Sequence, residues 1–148
     1  MNAPAKILAA LRGSAHGVSG TELCQQLGVS RAAVWAHIES LRGSGFEIVA
    51  SPHRGYQLVK SPDALLADDL VSRLGNVSVI GREIIILPET TSTNDEIEKA
   101  AQNNRDEGLV VFAESQTHGR GRRGRRWSSP GGKGLWFSIL LRPQLAPD

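Results

Sequence analysis

Apolar residues recur at helical spacing along the first third of the chain, then give way to short continuous runs. Ile7, Leu8 and Leu11 share one face of a segment from Pro4 to Arg12, which Gly13, Ser14 and Gly17 end. Ser19 with Glu22 three residues later forms a capping box, and the helix it opens carries Leu23, Cys24 and Leu27 before Gly28. Ser30 can cap a third helix, along which Ala33, Val34, Ile38 and Leu41 make a single stripe that stops near Gly43-Ser44-Gly45. Phe46, Ile48 and Val49 follow, then Ser51-Pro52-His53-Arg54-Gly55, then Tyr56 to Val59. Two short strands around a Pro/Gly turn predict a hairpin.

The segment Val59 to Asp63 has the character of a linker, because Pro62 cannot continue a strand ladder. A boundary is placed there, giving domains 1–61 and 62–148. Past it, Leu65, Leu66, Leu70 and Leu74 predict a helix over 63–74 ended by Gly75. Ile84 to Leu87 reads as a buried strand ended by Pro88. A helical face on Ile97, Ala100 and Ala101 comes next, and Leu109 to Phe112 is a second strand. Strand, helix and strand in this order predict a parallel βαβ unit. A polar loop is expected over Glu114–Gly134, then a third strand over Leu135–Leu141, with Pro143 and Pro147 breaking the pattern.

Composition adds little until it is divided along the chain. No apolar run approaches the ~18 residues of a membrane span, and the first residues lack a secretory signal. A lone cysteine, Cys24, excludes an intramolecular disulfide and fits a small core residue in a reducing, cytoplasmic setting. The formal net charge is only +2. Residues 1–62 carry six Lys+Arg against three Asp+Glu, residues 63–113 four against ten, and residues 114–148 seven against two. Two basic zones flank an acidic one, so anion binding is local.

Three helices with a short Gly-containing turn between the second and third, then a hairpin, are the order of a winged helix-turn-helix. In that motif the third helix enters the major groove and its early residues meet bases or phosphates. Here these are Ser30, Arg31, Ala32, Trp35 and His37, with Arg54 at the hairpin tip over a phosphate or in the minor groove. A helical protein-interaction module is the plainer alternative.

The densest chemistry lies in Gln116-Thr117-His118-Gly119-Arg120-Gly121-Arg122-Arg123-Gly124-Arg125-Arg126-Trp127. Gly119, Gly121 and Gly124 spell G-x-G-x-x-G. A dinucleotide fingerprint, however, needs a helix directly after the loop and an acid roughly 20 residues on. Pro130 and the glycines beyond it forbid that helix, and no acid lies between the loop and Asp148. Gly132-Lys133 is no P-loop either, since no Ser/Thr follows the lysine. Five arginines in seven residues repel one another unless an anion neutralises them. Interleaved glycines let backbone N–H groups approach that anion, and Trp127 offers a flat face. The loop therefore reads as a flap that orders around a phosphate-bearing ligand, with an R-G-G-type nucleic-acid patch as the alternative. Thr93 with Glu96 forms a capping box, yet Ser92-Thr93-Asn94 also stands where α/β layers bind small ligands.

Together, the helix-turn-helix with Gly28-Val29-Ser30-Arg31-Ala32-Ala33-Val34-Trp35, Arg54-Gly55-Tyr56, Ser92-Thr93-Asn94 and the arginine loop closely resemble the bifunctional biotin–protein ligases that double as biotin operon repressors. The resemblance implies an α+β architecture: a winged helix-turn-helix, then the first part of a catalytic domain similar to class II aminoacyl-tRNA synthetases. It implies synthesis of biotinyl-5′-AMP from biotin and Mg2+-ATP, and transfer of biotin to a lysine of a biotin carboxyl carrier domain of a carboxylase. It implies Ser92, Thr93 and Asn94 in the biotin pocket, with Gln116, Arg120, Gly121 and Arg122 in the biotin/adenylate loop. Arg120 and Arg122 would offset charge on the carboxylate and α-phosphate, and Trp127 would help close the adenylate site. It further implies an adenylate-promoted homodimer on palindromic operator DNA, with no membrane partner. The family's catalytic lysine begins a K-W-P-N-D segment past the third strand. Lys6, Lys60, Lys99 and Lys133 begin none, and the family's C-terminal β-barrel is also missing, so a regulator that senses ligand without ligating is the alternative function.

Overall fold

A computed structural model describes residues 1–144, so Pro147 lies outside the described residues. The chain divides into two compact units, Met1–Arg73 and Leu74–Asp148. No helix among the described residues is long and apolar enough to cross a membrane.

In the first unit, helices α1 (Ala3–Gly13), α2 (Gly20–Leu27) and α3 (Arg31–Gly43) precede strands β1 (Glu47–Ser51) and β2 (Gly55–Lys60). Each helix start is capped by a side chain. Asn2 accepts from the Ala5 N–H, Ser19 from Glu22 and Ser30 from Ala33, satisfying donors that a helix cannot satisfy internally. Ile7, Leu8, Leu23, Val34 and Ile38 are almost wholly buried and meet Phe46 and Ile48 of the hairpin in one core. β1 and β2 pair antiparallel.

One feature of this unit is invisible to the pattern. Val18 and Tyr56 exchange both backbone hydrogen bonds, at 2.9 and 2.8 Å, so the α1–α2 connection adds a third edge to the hairpin. The approach is so close that a Cβ on Gly55 would lie 2.3 Å from the Val18 carbonyl oxygen. Only glycine fits there.

Helix α4 spans Ala67–Leu74 and is shorter than the predicted 63–74. Leu66 falls before it and packs on the first core instead. The compact unit therefore runs past the composition shift at Pro62 as far as Arg73. Arg12 of α1 donates to Ser61 at 3.0 Å and pairs with Asp69 and Ser72 of α4.

In the second unit, β3 (Glu83–Thr90), α5 (Thr93–Gln102) and β4 (Leu109–Arg120) form the expected βαβ unit, with β3 and β4 parallel. β3 differs from its expectation. It continues through Pro88, and its apolar run Ile84–Leu87 is half-buried, because it pairs only with β4 and lies at the sheet edge. An edge is where a strand tolerates proline. β5 (Arg126–Ser129) and β6 (Trp136–Ile139) both pair antiparallel with β4, so the sheet is mixed. β6 is shorter than the expected 135–141, although the Leu140 N–H still donates to the Leu109 carbonyl at 2.9 Å. Leu109, Val111 and Leu140 form the core, against which Ile97 and Ala100 of α5 pack.

The largest departure concerns Glu114–Gly134. It is no loop for most of its length. β4 runs on to Arg120, and β5 returns beside it with Gly119 opposite Trp127 and Arg120 opposite Arg126. The arginines sit on a β-hairpin, whose tip includes one 3-10 turn, Arg122–Gly124.

Candidate functional site

The cap at the start of α5 sets the first wall of the site. Ser92, not Thr93, is the N-cap, accepting from the Asn94 N–H at 3.3 Å. Thr93 is drawn elsewhere. Its N–H and its hydroxyl both face Gln116 Oε1, at 2.8 and 3.2 Å, and its hydroxyl lies 2.9 Å from that of Ser138. Ser138 in turn donates to Asn94 Oδ1 at 2.6 Å, while Gln116 Nε2 donates to Ser129 at 2.9 Å. Glu96, the expected capping-box partner, accepts from the Thr90 hydroxyl instead.

Gln116 is thus a hub joining α5, β4 and β5 through one amide. Thr93 and Ser138 carry one hydroxyl proton each, so their three contacts with Gln116, with each other and with Asn94 cannot all be hydrogen bonds at once. A ligand group that both donates and accepts can enter this network by exchange.

The second wall is the hairpin. Gly119 is buried, and a Cβ there would lie 2.6 Å from the Trp127 carbonyl oxygen and 2.7 Å from Ser129 Oγ. Glycine lets β4 and β5 close. At the tip the Gly121 N–H donates to the Arg125 carbonyl at 2.7 Å. Arg123 has φ 57°, a left-handed conformation uncommon for a residue with a side chain.

Between the walls lies a cleft of about 420 Å3. Ser92, Thr93, Asn94, Gln116, Arg120, Gly121, Arg122 and Trp127 all line it. So do Leu135, Trp136, Phe137 and Ser138, which sequence reasoning missed. Ser138 left one signal, a hydroxyl within an otherwise apolar run. Trp127 and Trp136 meet edge to face with ring centres 6.4 Å apart, an arrangement favoured for aromatic pairs.

The arginines are not equivalent. Arg120 is held by Asp95 and Glu98 at 2.7 and 2.9 Å, so it does not stand free to face an anion as expected. Among the described residues, Arg122, Arg123, Arg125 and Arg126 form no ion pair. Among the described residues no lysine lines the cleft, and Lys99 is paired with Glu96 at 3.0 Å.

In the first unit, Ser30, Arg31, Ala32 and Trp35 are exposed at the start of α3, Trp35 by 58%. Arg31 donates to the Thr21 hydroxyl at 2.7 Å. Arg31, Arg54 and His53 line one open groove with Thr21 and Glu22 of α2. His37 does not join them. It is half-buried, and at about 100° per residue it lies roughly 200° around α3 from Trp35.

Residues 5–57 match the HTH domain family, and residues 86–147 match the Biotin/lipoate A/B protein ligase family. The chain is 41% identical over 129 residues to the bifunctional ligase/repressor BirA of Bacillus spizizenii, covering 86% of this chain and 39% of that protein. It is 36% identical over 145 residues to the protein of the same name from Escherichia coli, covering 97% of this chain and 43% of that one. It thus spans about two fifths of the length of these relatives. A solved structure of a biotin protein ligase from Aquifex aeolicus, in complex with biotin and ATP, aligns at 43% identity and a TM-score of 0.36, over 43% of this chain and 25% of that one. Over the residues it spans, the chain joins an HTH domain to a biotin/lipoate ligase segment and is similar in sequence to the bifunctional ligase/repressors.

Proposed function

We propose that the second unit holds biotin and its adenylate, and that the first unit binds operator DNA. The observation that carries the ligand reading is the convergence of Ser92–Asn94, Gln116 and the arginine hairpin on one cleft. Its donors and acceptors suit biotin. Thr93, Asn94 and Ser138 can exchange hydrogen bonds with a ureido ring, while the aromatic rings bury apolar ligand surface. Arg122 offsets the charge that builds when a carboxylate approaches an α-phosphate, and Trp127 closes over the adenylate.

The activity proposed for the family's chemistry has two steps. The biotin carboxylate attacks the α-phosphorus of Mg2+-ATP and pyrophosphate leaves. The acceptor lysine of a carboxyl carrier domain then attacks the acyl carbon and AMP leaves. Mg2+ arrives with ATP and is assigned no protein ligand.

The reading is tested by titrating the chain with biotin and with a hydrolysis-resistant biotinyl-adenylate while following tryptophan fluorescence. Saturable quenching is expected, and its absence with both ligands overturns the reading. Arg122→Gly is expected to speed adenylate dissociation roughly tenfold, the scale of one hydrogen bond to a charged group. An unchanged rate in stopped-flow displacement refutes that role.

A second reading is ligand sensing by this cleft without turnover. Incubation with biotin, Mg2+-ATP and a carrier domain separates the two. Biotin on the carrier lysine supports ligation, whereas binding without pyrophosphate release supports sensing.

For the first unit, Arg31 and Arg54 on one groove support phosphate contact. Arg31→Ala and Arg54→Ala are each expected to lower the slope of log affinity against log salt by about 1, read by fluorescence anisotropy on a palindromic duplex. Slopes equal to that of the unaltered chain count against this groove. An adenylate-promoted dimer on the operator belongs to the same proposal, and sedimentation with and without adenylate checks it.

A further inference from the structure

Two carboxylates of α5 converge on one arginine of the hairpin. Arg120 Nη2 forms an ion pair with Asp95 Oδ1 at 2.7 Å and donates to Glu98 Oε1 at 2.9 Å. Asp95 is itself held, because the Thr91 hydroxyl donates to its other oxygen at 3.1 Å. Beside this, the His118 N–H donates to the Thr91 carbonyl at 2.8 Å. The base of the hairpin is therefore tied to the start of α5, the same turn that carries Ser92, Thr93 and Asn94.

We propose that Asp95 and Glu98 are positioning residues: through Arg120 they latch the arginine hairpin against the first turn of α5 and set the spacing of the cleft between Asn94 and Trp127. The proposal rests on the reading that this cleft holds biotinyl-adenylate. One guanidinium with two carboxylates leaves the latch itself net negative, whereas Arg122, Arg123, Arg125 and Arg126 keep their charge. A phosphate in the cleft is accordingly drawn to the Arg122 side. Arg120 holds a wall, not the anion.

The latch is half in water. Arg120 is 48% exposed, Asp95 30% and Glu98 62%. An exposed pair of this kind is worth about a fivefold change in an equilibrium, and salt weakens it.

The test uses the full chain with Asp95→Asn/Glu98→Gln, with Arg120→Gln, and with all three changes. Hydrogen exchange without ligand is measured first. Amides from His118 to Arg126 are expected to exchange about fivefold faster in either variant. The triple variant should be no faster than Arg120→Gln, because one interaction is being removed twice. Arg120→Lys should recover part of the protection. Added salt should speed exchange in the unaltered chain and not in the triple variant. Adenylate dissociation should follow the same order, with the same non-additivity. Unchanged exchange, or effects that multiply in the triple variant, overturn the latch, and hairpin exchange that changes without any change in adenylate release overturns its positioning role. A chain that binds no adenylate at all refutes the ligand reading, while the exchange data still decide the latch.

Discussion

Gly119→Ala is expected to weaken adenylate binding roughly thirtyfold, corresponding to about 2 kcal/mol for a methyl group forced into filled space. The added Cβ would lie 2.6 Å from the Trp127 carbonyl oxygen and 2.7 Å from Ser129 Oγ. Neither neighbour can yield cheaply. The carbonyl belongs to the paired strand, and Ser129 is 3% exposed and accepts from Gln116. β5 must move outward. That displaces Trp127 from the cleft and strips Gln116 of a partner, so the amide that also holds Thr93 is released on one side. The measurement is calorimetric titration with the adenylate analogue, alongside hydrogen exchange over β5. Native affinity in this variant would show that β5 closure has no part in binding.

Ile38→Ala is expected to destabilise the first unit by about 3 kcal/mol, the loss typical of a large aliphatic side chain cut back in a filled core. Ile38 is fully buried at the centre of a core built from three helices and the hairpin. A unit of this size has only roughly 5 kcal/mol in hand. Most of its margin goes, although about 2 kcal/mol still keeps the unit largely folded at 25 °C, so operator affinity should fall only on warming or in mild denaturant. The adenylate titration of the second unit should hold its unaltered value. Urea denaturation followed at both units checks this. A common loss of both transitions would show that the two units unfold as one, and a change under 1 kcal/mol would show that the core collapses around the gap.

These two variants also mark what the sequence could and could not display. The first unit was legible because its determinants are local. Ser19 and Ser30 cap helices within three residues of themselves, and the stripe through Val34, Ile38 and Leu41 repeats within one element. The Val18–Tyr56 bridge escaped, since it joins residues far apart in sequence. In the second unit the chemical residues were legible by type, but their arrangement was not. Local rules favoured Thr93 as the cap of α5. Gln116, twenty-three residues away, claims Thr93 and passes the cap to Ser92. Glycines and arginines spell a loop by composition. Only the pairing of Gly119 with Trp127 and of Arg120 with Arg126 makes a hairpin of them, and pairing across strands leaves no local signature. Arg120 shows the same limit, because its partners Asp95 and Glu98 lie on another element, twenty-five and twenty-two residues away in sequence.

Pro88 has a meaning beyond its place in β3. The register of β3 on β4 skips it, and its carbonyl oxygen accepts from the Ser115 hydroxyl of β4, so the position of its missing N–H faces β4. The gap lies inside the sheet. The outer side of β3 has no partner among the described residues, and an open edge of β-branched residues is a template on which other chains can grow. Of the two exposed acids of that strand, Glu83 is paired with Arg105 at 2.7 Å. The border is left with little besides Glu89 to turn a second strand away.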